Sequence, residues 1–196
     1  MRKLLQALFR SAAIFRHNRM RTYPVTNWVF FVAALSCATL VASLPCSPDL
    51  QVSWVVDNSA TASQLARAAN CSGGAFDVEW IGHIKFPETI YVMDGTVMNI
   101  TGAGVGAAAD GVNSTQYLNV VNAALRVSGL RIQNCAAVNS GGAIYAEASA
   151  ISFNETTWSN NIAGEDGGGI FVYNSSSVSW SGKTSWFGNT AGGHGG

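Results

Sequence analysis

Carboxylates are the side chains that would carry acid–base chemistry in this chain, and they are widely spaced. Cleaving a glycosidic bond normally takes two carboxyl groups held several ångströms apart. Asp94 and Asp110 are each followed by glycine, which is typical of turns. Glu165 and Asp166 are adjacent, and adjacent strand residues point to opposite faces, so we expect this pair on a solvated loop. These spacings predict no acid–base pair.

His83 and His194, the histidines that follow the predicted signal segment, give no metal-site pattern either. Neither His83 nor His194 has a cysteine or another histidine at the spacing of metal ligands. We interpret His83, in WIGHIKF, as an edge or core histidine, and His194, between two glycines, as a loop residue. The sequence therefore predicts no catalytic residue, no metal and no cofactor.

A repeat of 26 to 28 residues organises residues 125–196. The segments that begin at Leu125, Ile151 and Val178 keep their side-chain classes in register over three copies, which a low-complexity segment would not do. The positions that define the repeat are Trp158 over Trp186, Asn161 over Asn189, and Gly141, Gly142 and Ile144 over Gly167, Gly168 and Ile170.

The composition of each repeat predicts a parallel β-solenoid. Short alternating apolar pulses are typical of strands with one buried face, and Gly, Asn, Ser and Asp turn the chain between them. Coils would stack about 4.8 Å apart, because one coil alone cannot bury its apolar face. We interpret the paired glycines as corners before a strand. We expect a ladder bonded along the stack from Asn134, from Asn160 or Asn161, and from Asn189.

Two segments carry a resemblance to a known family. WSNNIAGEDGGGI and WFGNTAGGHGG resemble the paired Phe-x-x-Asn and Gly-Gly-Ala-Ile motifs of the polymorphic outer membrane protein repeat, with Trp158 and Trp186 where that family has Phe. The resemblance covers residues 125–196 and implies an all-β fold, a right-handed parallel β-helix of the pectin-lyase-like class. It also implies an exported protein, since the bacterial family forms surface-exposed passengers of adhesins.

The same structural class includes enzymes that cleave acidic polysaccharides, so fold alone does not decide function. Gly193–Gly195 (GHG) and Arg131–Gln133 (RIQ) resemble polygalacturonase motifs, but their order is reversed and the acidic motifs of those enzymes are absent. Glu147 and Glu155 have no acidic partner at coil spacing. We expect a non-catalytic protein that acts in adhesion, binding or scaffolding. The alternative is an incomplete or inactive relative of the polysaccharide-cleaving enzymes.

The tryptophans are compatible with sugar stacking or with a hydrophobic core. Trp158 and Trp186 occupy equivalent coil positions, and alternation places Trp180 with Val178, so we favour the core. The tryptophans considered for both roles are Trp54, Trp80, Trp158, Trp180 and Trp186.

The start of the chain predicts export. Six basic residues precede the first acidic one, Asp49, and residues 28–43 form an apolar run that ends in small residues. This pattern indicates a secretory signal with a long basic n-region over residues 1–43, cleaved after Ser43. The alternatives are an uncleaved signal-anchor, translation from Met20, and an organelle transit peptide. We expect a secreted or cell-surface protein, in the outer membrane if it is of the bacterial type.

Charge after the signal limits the classes of partner. Residues 44–196 hold five basic and 11 acidic residues, a net charge near −6. This balance argues against nucleic-acid binding, which needs a basic surface. No second apolar run is long enough to span a membrane. We expect a cell-surface or matrix protein or glycan as partner.

Residues 44–75 are predicted to cap the first coil, because an open solenoid end exposes apolar side chains and strand edges. Thr61 and Gln64 fit a capping box and predict a short helix over residues 61–70. Its packing face would be Leu65, Ala68 and Ala69.

The coils are predicted over residues 76–196, where the sequence stops inside a Gly-Gly corner. We expect truncation there, and self-association through the uncapped last coil.

Export would make five N-x-Ser/Thr sequons available for glycosylation and would allow the cysteines to form disulfides. In a eukaryotic host we expect Asn113 and Asn174, in polar loops, to be the best glycan acceptors, and in a bacterium we expect none of the sequons to be used. Cys46 and Cys71 are predicted to pair, and Cys135 is predicted to be a small buried residue. The sequons are at Asn70, Asn99, Asn113, Asn154 and Asn174.

Overall fold

In the part of the chain that the structure describes, the protein is a parallel β-solenoid with one short helix, Ser59–Ala69. The computed structural model describes residues 51–70 and 73–196. Strands of successive coils pair in parallel throughout this part of the chain. The predicted all-β solenoid is therefore confirmed. The signal segment and both cysteines of the predicted disulfide, Cys46 and Cys71, lie outside the described residues, so these remain predictions.

Most strands have two to six residues, as expected for coils of 26 to 28 residues, and two longer strands cover Ala75–Lys85 and Val97–Asp110. In chain order the described elements are β1 Gln51–Val56, α1 Ser59–Ala69, β2 Ala75–Lys85, β3 Ile90–Met93, β4 Val97–Asp110, β5 Leu118–Val121, β6 Ala124–Ser128, β7 Arg131–Gln133, β8 Ala136–Ala137, β9 Ile144–Glu147, β10 Ala150–Asn154, β11 Thr157–Ser159, β12 Ile162–Ala163, β13 Ile170–Tyr173, β14 Ser177–Ser181, β15 Ser185–Phe187 and β16 Thr190–Ala191.

Three sheets form the sides of the solenoid. Sheet 1 contains β14-β10-β6-β4-β7-β11-β15, with β2 beside β4 and β1 beside β2. Sheet 2 has the order β13-β9-β5-β3, and sheet 3 the order β16-β12-β8. Each later coil passes from sheet 2 to sheet 1, then to sheet 3 and back, so equivalent positions of successive coils lie side by side.

Inward side chains form continuous rows along the stack. Ile151 of β10 pairs with Leu125 on one side and with Val178 on the other. Trp158 pairs with Ile132 and Trp186 in the same way and is fully buried. Each coil thus covers the apolar face of the one before, which is why these short strands are stable together.

Helix α1 begins two residues earlier than predicted, and its cap differs. Asn58 is the N-cap, because its Oδ1 accepts from the backbone N–H groups of Ala60 (2.9 Å) and Thr61 (3.0 Å). Thr61 Oγ1 accepts from the backbone N–H of Asn58 in return. The prediction that pairs Thr61 with Gln64 is therefore wrong. The buried residues of α1 are Ala62, Leu65, Ala66 and Ala69.

A strand that was not predicted precedes this helix. Residues 51–56 form β1, which pairs with β2 over its whole length and buries Val56. Helix α1 then contacts β1, β2 and β3. Because β3 is the end strand of sheet 2, the helix lies where a preceding sheet 2 strand would otherwise lie.

Over residues 51–70 and 73–196 there is no helix long and apolar enough to cross a membrane.

Candidate binding surface and polar clusters

The outer side of sheet 2 presents a row of aromatic rings. Tyr91, Asn119, Tyr145 and Phe171 occupy the same outward position of four neighbouring strands. Tyr173 follows two residues after Phe171 on β13. We call Tyr91, Tyr145, Phe171 and Tyr173 the aromatic face.

Three rings of the aromatic face, Tyr145, Phe171 and Tyr173, stack on one another. The ring centroids of Tyr145 and Phe171 are 5.8 Å apart with planes 26° from parallel, and those of Phe171 and Tyr173 are 6.4 Å apart at 12°. Tyr91 is 44% exposed and Tyr173 56% exposed. The Tyr145 hydroxyl donates to Glu147 Oε2 at 3.1 Å. Desolvation, together with that contact, raises the pKa of Tyr145.

A row of turns borders the aromatic face where the strands of sheet 2 end. Asp94, Asn122, Ala148 and Asn174 all have positive φ, between 34° and 50°. Asn122 Nδ2 donates to Asp94 Oδ1 at 3.2 Å, from one coil to the next. These turns place amide and carboxylate groups beside the rings.

A second polar group lies on sheet 1 around Asp110, and the turn predicted there is wrong. Asp110 is the last residue of β4 and is only 5% exposed, because coil stacking brings three side-chain donors onto it. Its Oδ2 accepts from His83 Nε2 (2.7 Å), Gln133 Nε2 (3.0 Å) and Asn134 Nδ2 (3.1 Å). Its Oδ1 accepts from the backbone N–H of Val112.

These contacts set the charge state of Asp110. Burial alone would raise its pKa, but the hydrogen bonds from Val112, Gln133, His83 and Asn134 outweigh it and lower the pKa. The carboxylate is thus ionised, with four donors on its oxygens. Its oxygens are consequently engaged within the fold rather than free to act on a substrate.

His83 lies on the outward side of β2, not in the core. Its side chain is 51% exposed, and at this position β2 pairs only with β4. A neighbouring coil therefore gives His83 an acidic partner 27 residues away, which no local motif indicates.

Asp94 and Asp166 accept hydrogen bonds from different parts of the fold, Asp94 from Asn122 and Asp166 from His194. Asp94 lies in the predicted turn. Asp166 accepts from the backbone N–H of His194 at 2.7 Å, which lowers the pKa of Asp166. His194 itself is 98% exposed. Among residues 51–70 and 73–196, no group of three His, Cys, Asp or Glu side chains is placed to hold a metal ion.

The asparagine ladder is one residue out of the predicted register in its first coil. Asn161 Nδ2 donates to Asn189 Oδ1 at 2.8 Å, and Asn161 Oδ1 accepts from the backbone N–H of Cys135 at 3.0 Å. Cys135, not Asn134, thus occupies the inward position of that coil. Asn134 and Asn160 instead have φ of 51° and 54°, the left-handed turn beside the ladder.

The paired glycines of the repeat have two different roles. Gly141 and Gly167 have φ of 75° and 66°, a conformation that other residues rarely adopt. Gly142 has an ordinary φ, but a Cβ there would collide with the carbonyl oxygen of Gly168 in the next coil. Ile144 and Ile170 follow as paired residues of β9 and β13.

The exposure of the tryptophans differs between the earlier coils and the last one. Trp80 and Trp158 are fully buried, and Trp80 Nε1 donates to the carbonyl of Ala108. Trp186 stacks on Trp158 with centroids 4.7 Å apart and planes 6° from parallel. Trp180 and Trp186 point inward in the last coil and are 44% and 43% exposed. Trp54 is partly buried against the core.

The sequons and Cys135 differ in accessibility. Asn99 is part of a contact chain, since its Nδ2 donates to Asp77 and its Oδ1 accepts from Arg126. Cys135 is fully buried, and burial raises the pKa of its thiol. The exposed sequon asparagines are Asn70, Asn113, Asn154 and Asn174.

Comparison of the chain with protein families, curated proteins and solved structures found no match.

Proposed function

We propose that the protein is an exported β-solenoid that acts in adhesion, binding or scaffolding at a cell surface or in a matrix, without catalysis. The observation that supports this function best is the aromatic face, because large rings held in register on the outside of a sheet add nothing to the core. Exposed ordered aromatic side chains are typical of interaction sites.

The acidic residues support binding over catalysis. Asp110 accepts four hydrogen bonds, three of them from other coils, which is the arrangement of a structural carboxylate. Glu147 accepts a hydrogen bond from the Tyr145 hydroxyl, and Asp166 accepts one from the backbone N–H of His194. A glycosidase pair would instead aim two carboxyl groups at one bond.

A binding assay on purified full-length chain tests this proposal. We expect the protein to be retained on cell-surface or matrix material, and to remain so in the single variants Asp110→Asn, Glu165→Gln and Asp166→Asn. We also expect no calcium-dependent rise of unsaturated product from polygalacturonate. Product that disappears in one of these variants would refute a non-catalytic role and would show that the chain is an active polysaccharide-cleaving enzyme, not the incomplete or inactive relative of the alternative. Failure to bind any surface material would also refute the proposal.

A further inference from the structure

We propose that the outer side of sheet 2 binds an extended, uncharged polysaccharide, whose sugar rings pack on the aromatic face. This inference rests on the proposed binding function and names its ligand class and its site.

The arrangement of the rings favours a linear ligand. Tyr91, Tyr145 and Phe171 follow one another along the solenoid axis, with Asn119 between the first two. Neighbouring strands are about 4.8 Å apart, so the row extends over several sugar units of a chain laid along it. A compact ligand would use only one or two of these positions.

The chemistry of the side chains favours sugars. Sugar rings offer C–H groups that pack on aromatic surfaces, and hydroxyl groups that need hydrogen-bond partners. The aromatic face supplies the first. Asn119, Asn122 and Asn174 supply side-chain amides beside the rings, while Glu147 supplies carboxylate oxygens next to Tyr145. A wholly apolar occupant would displace water from these polar groups without offering them hydrogen-bond partners.

The charge of this surface favours an uncharged polymer over an acidic one. The outward positions of sheet 2 and the bordering turns include two carboxylates, Asp94 and Glu147, and no Lys, Arg or His. A polyuronate would bring like charges onto this surface and would have no cation to pair with.

Affinity electrophoresis of the full-length chain tests the inference. The probes are three neutral polymers, hydroxyethylcellulose, galactomannan and mixed-linkage β-glucan, with polygalacturonate as the charged comparison. We expect retardation by at least one neutral polymer and none by polygalacturonate. Tyr91→Ala and Tyr173→Ala should each weaken binding about tenfold, the effect of losing one stacked ring.

Phe187→Ala is the control, because it removes a ring that is 55% exposed on the outward side of β15, in sheet 1, and should leave retardation unchanged. Tyr145→Phe is a conservative change within the aromatic face: it keeps the ring and removes only the hydroxyl that donates to Glu147, so it should weaken binding less than Tyr91→Ala does. Circular dichroism of every variant checks that the fold is retained.

The outcomes separate this inference from the proposed function. Retention on surface material without retardation by any neutral polymer would overturn the polysaccharide inference and leave the binding function standing. Stronger binding of polygalacturonate, or unchanged binding in Tyr91→Ala and Tyr173→Ala, would also overturn it. A shift in sedimentation caused by these variants, in place of a loss of glycan binding, would instead assign the face to contact between copies of the chain.

Discussion

Asp110 shows how coil stacking decides the role of a single residue. Its sequence neighbour Gly111 indicates a turn, yet its partners His83, Gln133 and Asn134 lie 27, 23 and 24 residues away. Only the register between coils brings these groups together. Local sequence therefore could not predict that Asp110 is buried, or that His83 has an acidic partner.

We predict that Asp110→Asn destabilises the solenoid. The amide would place its own donor beside groups that already donate, which costs about 1–3 kcal/mol in the free energy of unfolding. Asp94→Asn is the matched control, because Asp94 is exposed in a turn and accepts a hydrogen bond from the Asn122 side chain. Urea unfolding at neutral pH measures both. A loss for Asp110→Asn no larger than that of the control would contradict this role.

The lowered pKa of Asp110 also predicts a pH dependence. A carboxyl group whose pKa is lower in the folded state stabilises the fold above the unfolded value, about 3.9. This contribution is lost as the pH falls through the folded pKa. The difference in unfolding free energy between the unchanged chain and Asp110→Asn should therefore shrink below about pH 4. A difference that stays constant down to pH 2 would show that the charge of Asp110 has no part in stability.

At the scale of the element, the sequence predicts the spacing of the strands well. It predicts less well the residues at which the elements begin and end. The inward row that contains Leu125, Ile151 and Val178 follows from alternation alone, because only one alignment buries every apolar pulse. The members of the asparagine ladder are harder to predict, since Asn160 and Asn161 are adjacent and local composition does not tell which one points inward. A positive φ at Asn134 and Asn160 settles the choice.

The aromatic face was missed although a signal for it exists. Tyr145 and Phe171 each follow the isoleucine of the Gly-Gly corner, so alternation alone places them outward. Tryptophan draws attention first in a search for sugar-stacking residues, yet Trp80 and Trp158 are in the core. The side of the sheet, not the residue type, determines which ring is available to a ligand.

We predict that Asn58→Ala weakens the start of the solenoid. Loss of the N-cap leaves the N–H groups of Ala60 and Thr61 without their acceptor, at a cost of about 0.5–2 kcal/mol. Gln64→Ala is the control, because Gln64 is exposed on α1 and has no part in the observed cap; its effect should be within about 0.5 kcal/mol. Equal losses in chemical unfolding, or a larger one for Gln64→Ala, would restore the capping box predicted from Thr61 and Gln64.

At the scale of the whole molecule, the repeat determines both the core and the surface. The same register that stacks Trp158 on Trp186 inside the solenoid aligns Tyr145 with Phe171 outside it. Repetition of the coil is therefore sufficient to produce a long, regular outer side. The fold class was predictable because the spacing recurs. The ligand was not, because outward positions are not constrained by packing.

A surface-binding role requires that the protein be exported. The cellular location of the protein is therefore the most direct test of the proposed function. The full-length chain with a C-terminal epitope tag would be produced in its source cells and stained before and after permeabilisation, with a cytosolic marker as control. We predict staining of intact cells, or tag recovered in the medium or matrix, with no marker released. Tag detected only after permeabilisation and in the cytosolic fraction would contradict the account.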